Sequence, residues 1–430
     1  MASFAGGIHP DYEKITQGKK IRVSRLPKKV VIPLMQHTGV VCKPLINVGD
    51  HVKVGQKIGD VDAFISAPLH ASISGKVTEI KEMPHPVGTN FLSIIIESDG
   101  KIEWHESVKP NNVESLSKED IIKIIREAGI VGLGGAAFPT HVKLTPKKEK
   151  KIDTVILNGS ECEPFLTSDH RLMIEETEKI IKGLKLIMKA VDAEKAFIGV
   201  EDNKKNAIAL LKDNIKDSIE VVELKTKYPQ GAEKMLIYSI TKRKVPPKGL
   251  PLDIGVIVNN VGTAKAVYDA VYDGKPLVER VVTVTGAVNS PENLLVKNGT
   301  IFRDIINECG GYKTNVKKLI MGGPLMGIAL SSDNVPVVKA TTGILVLDKI
   351  ETEEEKTCIR CSKCVDVCPM FLVPTTIAKY TDKNMIKEAD SYNALDCFEC
   401  GCCAYVCPSK IPLVQKIKYA KAEILKLKEK

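Results

Sequence analysis

Cys358-Ile359-Arg360-Cys361-Ser362-Lys363-Cys364-Val365-Asp366-Val367-Cys368-Pro369 and Cys397-Phe398-Glu399-Cys400-Gly401-Cys402-Cys403-Ala404-Tyr405-Val406-Cys407-Pro408 decide what the C-terminal part of this chain must be. Each run reads Cys-x-x-Cys-x-x-Cys-x-x-x-Cys-Pro. The first three thiolates of such a run wrap one face of a four-iron cubane, and the fourth reaches across to the other cluster. On that rule one [4Fe-4S] cluster takes Cys358, Cys361, Cys364 and Cys407, and the second takes Cys397, Cys400, Cys403 and Cys368. Structural zinc is the alternative, but zinc sites pair two Cys-x-x-Cys knuckles and need neither the third spacing nor the Cys-Pro, let alone both twice. Cys402 has no ligand role by spacing. Ile359, Val365, Val367, Phe398 and Val406 are the apolar neighbours that exclude water and tune potential.

A segment so built is of the bacterial 2[4Fe-4S] ferredoxin-like type, and it moves electrons one at a time. Of the twelve cysteines only Cys42, Cys162 and Cys309 lie outside it. A disulfide scaffold would spread its cysteines over a small secreted domain, so this distribution indicates metal. The 430 residues exceed one hydrophobic core and suggest roughly two to four domains. The formal charge of +9 is modest for this length; runs such as Lys147-Lys148-Glu149-Lys150-Lys151 and the Lys-rich tail after Pro412 read as solvated faces. No nucleic-acid motif accompanies the charge, and nucleic acid is excluded as a partner. The best apolar run, Phe91 to Ile96, ends at Glu97, far short of the ~18 residues of a membrane span. Met1-Ala2-Ser3-Phe4-Ala5-Gly6-Gly7 lacks the charged start and apolar stretch of a secretory signal. A cytoplasmic protein is expected, with any membrane association peripheral.

Four segments differ in texture. Residues 1–105 are rich in Val, Ile and Gly, and the stretch Val48 to Gly59 alternates apolar residues with Gly-bearing turns, as a small β-sandwich does. Residues 106–275 alternate helical and strand patterns: a helix from Asp120 to Ala128, a buried strand at Thr154-Val155-Ile156-Leu157, another at Asp253 to Val258. That alternation predicts a largely parallel sheet. Residues 276–347 open with a strand from Arg280 to Thr285 and run through a helix, Ile301 to Cys309, into Gly310-Gly311, resembling a small β-grasp module. Residues 348–430 begin with a charged linker, Asp348 to Lys356, and end in an amphipathic helix carrying Leu413, Ile417, Ala420, Ile424 and Leu427 on one face.

Gly132-Leu133-Gly134-Gly135-Ala136-Ala137-Phe138-Pro139-Thr140 precedes the basic Lys143. Small residues let backbone N–H groups approach a phosphate, although a plain flexible loop explains the same letters. No Gly-Lys-Ser/Thr closes it, so it is not a P-loop. Asn158-Gly159-Ser160-Glu161-Cys162-Glu163-Pro164 follows a strand, at the position where α/β sheets bind ligands. Tyr228-Pro229-Gln230-Gly231-Ala232-Glu233 and Val258-Asn259-Asn260-Val261-Gly262-Thr263 add two more polar turns. Singly, each reads as an ordinary turn.

Together and in this order, these segments resemble the flavin- and NADH-binding subunit of respiratory complex I. With Phe4-Ala5-Gly6-Gly7-Ile8-His9-Pro10 and the doubled cysteine run, the whole chain resembles the C subunit of the Rnf complex, the membrane NADH:ferredoxin oxidoreductase. The resemblance implies a multidomain α/β and α+β protein: a lipoyl-like β-sandwich, a Rossmann-like FMN/NADH domain, a β-grasp (SLBB) module and the ferredoxin-like helical domain. It implies FMN contacts at Gly132, Gly134, Lys143, Asn158, Glu161, Cys162, Asn259, Asn260 and Thr263, and places Phe138, Glu163 and Glu233 toward the nicotinamide nucleotide. Leu133 and Ala232 depart from the complex I pattern, where a basic and an acidic residue stand.

The stretch Ser66 to Gly75 resembles the hairpin of a biotinyl/lipoyl carrier without the lysine a working carrier needs. It reads as a docking module with no swinging arm, and His9, His37 and His70 read as surface or packing histidines. The resemblance implies an NADH dehydrogenase module with FMN, two [4Fe-4S] clusters and NAD(H). Its partners would be the other Rnf membrane subunits. It would sit peripherally on the cytoplasmic face of the bacterial cell membrane, coupling electron transfer between NAD(H) and ferredoxin to Na+ or H+ translocation. The competing readings are a cobalamin reductase of bacterial microcompartments and a non-catalytic electron-wiring subunit without flavin.

Overall fold

The computed structural model describes residues 1–147, 149–215, 218–350 and 354–428. Lys148 of the first basic run and residues 351–353 of the expected linker lie outside the described residues.

A four-stranded parallel sheet lies at the centre, in the order Ile219–Leu224, Lys195–Glu201, Thr154–Gly159, Val256–Asn260. Alternation along Thr154–Gly159 sends Val155 and Leu157 to one face and Ile156 to the other, so both faces are covered. Helices Lys118–Glu127, Thr177–Val191 and Val261–Asp273 share the core of the first face, and Glu233–Thr241 packs with Ile156 on the second. Gly183 on one of these helices lies so close to the Ala264 carbonyl that no Cβ fits there, which explains the glycine. The chain leaves Thr154–Gly159 for one neighbour and returns later to the other. The carboxyl ends of Thr154–Gly159 and Val256–Asn260 therefore flank a topological switch point, where open α/β sheets take their ligands. The strand expected from Asp253 begins only at Val256, because Pro251–Ile254 forms a 3₁₀ turn whose Leu250 amide is bonded by Asp253.

Residues 29–98 form a two-sheet sandwich around Val30, Ile32, Ile58, Leu69, Ile94 and Ile96. Its stretch from Ser66 to Gly75 is buried throughout. Ser72 donates to Asn298 O at 2.5 Å, and the buried Lys339 ammonium joins Pro68 O (2.8 Å) to Gly129 O (2.6 Å). This hairpin is thus clamped between the parallel-sheet domain and the third segment. That third segment supplies five strands of a six-stranded mixed sheet, with Glu279–Gly286 near its middle and helix Phe302–Glu308 packed on it.

Residues 1–24 do not join the sandwich that follows them. Ala2 bridges Leu224 at the edge of the parallel sheet, Ile8 exchanges two hydrogen bonds with Tyr228, and Ile21–Val23 adds a strand to the six-stranded sheet. Gly7 N also donates to Val367 O (2.8 Å) in the last domain, so this strap crosses three modules.

In the last domain the two cysteine runs repeat each other's backbone. Positive φ falls at Arg360 and Ser362 in the first run and Phe371 just after it, and at Glu399 and Gly401 in the second and Lys410 just after it. Short helices Lys363–Asp366 and Cys402–Tyr405 correspond, as do Pro374–Asp382 and Leu413–Lys428. Leu413, Ile417, Ala420 and Ile424 of the last helix are buried as expected, whereas Leu427 is exposed, one turn past the end of the core.

Candidate redox site

Several of the residues assigned by resemblance gather at the switch point. Asn158, next to last in its strand, donates its amide N–H to Gly231 O (2.8 Å) and accepts at Oδ1 from Ser160 N (3.1 Å). Gly231 N in turn donates to the Cys162 thiol at 3.3 Å. Lys143 reaches Glu233 (3.1 Å) and Val258 O (3.1 Å), so the basic and acidic residues expected for FMN and nucleotide stand side by side at the surface. Asn260 caps helix Val261–Asp273 through Gly262 N and donates to Asp169 at 2.7 Å. Burial, reinforced by the nearby Glu161 carboxylate, raises the Asp169 pKa to about 7.

The glycine loop is pinned at both ends and open in the middle. Gly132 N donates to Phe138 O, Leu133 N donates to Thr263 Oγ1 (2.9 Å), and the buried Arg280 guanidinium donates to Leu133 O (3.4 Å). Leu133, where the complex I pattern has a basic residue, is buried in the core. Gly134, Gly135 and Ala136 are exposed, and a Cβ at Gly135 would meet nothing within 4 Å. Asn259 Nδ2, close by in sequence to Asn260, is a buried donor without a protein partner among the described residues. Buried donors are nearly always satisfied. An open cradle of backbone beside an unspent amide, with Lys143 at hand, fits a flavin mononucleotide.

Glu161 and Glu163 spend their carboxylates on neighbouring backbone. Glu161 accepts from Asp169 N (2.7 Å) and His170 N (3.2 Å), capping helix Ser168–Glu175. Glu163 accepts from Leu325 N (3.1 Å) and Met326 N (2.6 Å) in a loop of the six-stranded module. Burial raises the Glu163 pKa, against the pull of those amides and of Lys14. Phe138 is half-buried at the loop's closing end.

Several residues on which this site rests carry no signal in the sequence. Lys14, from the strap, donates to the carbonyls of Glu161 (2.8 Å), Glu163 (2.8 Å) and Leu166 (2.6 Å). Lys204 lies buried beneath, bonded to Ser160 O (2.6 Å) and to the buried Glu201. No local pattern marks either lysine. The Gly322-Gly323-Pro324 turn before the amides that Glu163 holds is visible in the sequence as a glycine-rich turn. Its packing explains it: a Cβ on Gly323 would collide with the Glu163 carboxylate.

The cysteines fall into two sets. Cys368, Cys397, Cys400 and Cys403 line one pocket with Leu372, Val414 and Ile417. Cys364 lies beside Cys407 and Cys358, whose charges add to burial in raising its pKa. Backbone N–H groups of Arg360, Glu399 and Leu372 donate to the sulfurs of Cys358, Cys397 and Cys368, each at 3.4 Å. Such N–H···S bonds, with the apolar lining, suit a charged iron–sulfur cluster. Among the described residues no three His, Cys, Asp or Glu side chains close around a single ion. Cys358 and Cys361 are exposed, whereas Cys368, Cys400 and Cys403 are buried.

Tyr228 joins the two regions. It is fully buried, and its hydroxyl donates to Cys400 O at 2.7 Å while its carbonyl faces the Cys402 thiol at 3.9 Å. Cys162, Tyr228, Cys400, Cys402 and Ile8 form one apolar cluster, with Leu325, Val367 and Phe398 packed against it.

Family models match all four segments: an RnfC barrel sandwich hybrid domain over residues 2–101, a Nuo51 FMN-binding domain over 125–269, an SLBB domain over 281–329 and a 4Fe-4S dicluster domain over 350–408. A flavin-binding domain and a dicluster domain on one polypeptide define the class, an electron-transfer flavin–iron–sulfur oxidoreductase. The chain is 49% identical to the C subunit of the proton-translocating ferredoxin:NAD(+) oxidoreductase complex of Clostridium ljungdahlii, over 98% of this chain and 94% of that one. It is 48% identical to the C subunit of the Na(+)-translocating ferredoxin:NAD(+) oxidoreductase complex of Acetobacterium woodii, over 100% and 98%. To the C subunit of the ion-translocating oxidoreductase complex of Rhodobacter capsulatus it is 39% identical, over 98% and 83%. The chain belongs to the RnfC family, the C subunits of Rnf complexes. Its fold is also shared with an NAD+-reducing [NiFe]-hydrogenase in the H2-reduced state, at 17% identity and a TM-score of 0.51, over 74% of this chain and 62% of that one.

Proposed function

We propose that this chain is the NADH-oxidising peripheral subunit of an ion-translocating ferredoxin:NAD+ oxidoreductase complex, seated on the cytoplasmic face of the cell membrane beside the other subunits. The observation that carries this reading is the apolar cluster in which Cys162, on the flavin side, packs with Tyr228, Cys400 and Cys402. FMN, when bound, supplies the interchange between two-electron hydride chemistry and the single electrons that clusters carry. Gly132 and Gly134 keep the loop backbone open to it, Lys143 offers its phosphate a charge, and Asn158, Asn259, Asn260 and Thr263 hold or shape the strand ends beneath. Glu161 and Cys162 position the turn that carries them.

Phe138, Glu163 and Glu233 serve the nucleotide, Glu233 from the surface and Glu163 through the 322–327 loop it holds. The set Cys397, Cys400, Cys403 and Cys368 is the more buried one, and it adjoins the flavin side. The set Cys358, Cys361, Cys364 and Cys407 reaches the surface, where a partner must collect electrons. No described helix is long and apolar enough to cross a membrane. In this reading ion translocation falls to the partner subunits.

Protein purified without oxygen should release FMN to the supernatant on acid precipitation and should reduce ferricyanide with NADH, with NADPH the poorer donor. Glu233→Ala should lower kcat/KM for NADH roughly five- to 150-fold while FMN and iron stay bound, as loss of one hydrogen bond predicts. Flavin that stays in the pellet, or a preference for NADPH, would contradict the reading.

A further inference from the structure

The N-terminal sandwich touches the glycine loop directly. Thr38 Oγ1 donates to Ala136 O at 2.9 Å and Thr38 N donates to Ala137 O at 3.1 Å. These bonds hold a loop in which Ala137 adopts a left-handed φ of 47°. Two residues on, Val40 N donates to Ile65 O, tying the loop after Thr38 to the segment that carries Phe64. The Phe64 carbonyl lies 3.1 Å from His141 Nε2, and the two rings meet edge to face at 6.1 Å. His141 is itself buried and lies in the short helix that ends in Lys143.

Phe64 is nonetheless 60% exposed, and Val40, Val41 and Ile65 beside it are 50%, 40% and 41% exposed. An aromatic ring anchored on one side and bare on the other, amid apolar neighbours, is costly to leave in water. The groups suited to phosphate and flavin, Lys143 and Asn259, belong to the helix and strand end behind the loop. This rim is mainly apolar, with Thr38 and Asp62 its exposed polar members.

We propose that Phe64 is a nucleotide-binding residue that stacks on the adenine ring, so that the N-terminal sandwich completes the dinucleotide site. This rests on the NADH reading above and deepens it. The rim is continuous with the Gly134–Ala136 opening, and a flat apolar side chain recognises the face of a base, not its phosphates. Base–aromatic contacts also tolerate partial solvent exposure, which a buried packing role for Phe64 would not leave.

The test uses the holoprotein with ferricyanide as acceptor and either NADH or reduced nicotinamide mononucleotide, which lacks the adenylate half. Phe64→Ala should lower the ratio of kcat/KM for NADH to that for the mononucleotide about five- to tenfold, mainly through KM for NADH. FMN and iron content should match the wild type, and Phe64→Tyr should restore the ratio. An unchanged ratio in Phe64→Ala overturns the proposal, as does an equal loss with both donors. An unchanged ratio with lost co-purification of membrane subunits would overturn it in favour of a protein-docking rim. If the wild-type holoprotein itself fails to oxidise NADH, the nucleotide reading falls first, and this assignment with it.

Discussion

The cysteine-rich domain and the candidate flavin pocket are both built for a redox group, and they draw on the chain in opposite ways. All eight expected cluster ligands come from two short runs between Cys358 and Cys407, and the turns that aim them repeat from one run to the other. The pocket instead gathers the loop at Gly132, the turn at Asn158, the turn at Gly231, the strand end at Asn259 and a lysine from residue 14. A cluster is chelated, so its strongest bonds are to side chains close in sequence. A flavin is held by many weaker contacts, mostly backbone and amide, which only a sheet edge can bring together. The first arrangement should fail one ligand at a time; the second should fail when its scaffold is loosened.

The largest effect should come from Cys368→Ala. Cys368 stands in the first run but lines the pocket of Cys397, Cys400 and Cys403. The variant should lose about half of roughly eight iron atoms, from the cluster of the second run. Iron analysis and EPR would show it, and loss confined to the Cys358 set would break the crossed assignment.

Lys14→Met attacks the scaffold from the other side. Its ammonium serves three carbonyls around Glu161 and Glu163, and orphaning them should cost about 2 kcal/mol. FMN should be retained poorly while iron content stays near normal, as flavin release and iron analysis on one preparation would reveal. Equal loss of both groups would mean that the strap supports the two regions alike.

The smallest effect concerns pH. Asp169 is raised from 3.8 to about 7 by burial and then by Glu161. Its folded form keeps a proton that the unfolded chain has released, so stability falls as pH rises across that window. Asp169→Asn keeps an acceptor for Asn260 and removes the titration. It should flatten the dependence of Tm on pH between about 4 and 7 and add on the order of 2 kcal/mol at neutral pH. An unaltered slope in thermal melts would place the titration elsewhere.

Much of the molecule is legible before folding. The helix at Asp120, the strands at Thr154 and Arg280 and the final amphipathic helix announce themselves by periodicity, and the structure has all of them within a few residues. The strand expected from Asp253 is shortened because Pro251 and the Asp253 carboxylate favour a 3₁₀ turn over an extended start. Glu161 and Glu163 are legible as acids at a strand end. That both serve backbone amides elsewhere is not, since each partner lies outside their own turn.

By itself the sequence determined the chemistry the chain carries. Thiolate spacing, glycine at the loop and amides after strands are local choices, and local choices read directly. Only the tertiary structure decided how the redox regions are joined. It buried Tyr228 between Cys162 and Cys400, threaded residues 1–24 across three modules, turned the lipoyl-like hairpin inward onto Lys339 and set Phe64 beside the glycine loop. Each of these depends on apolar surface and unsatisfied carbonyls meeting from distant parts of the chain. Burial rewards such meetings without regard to sequence separation, so no window of residues records them.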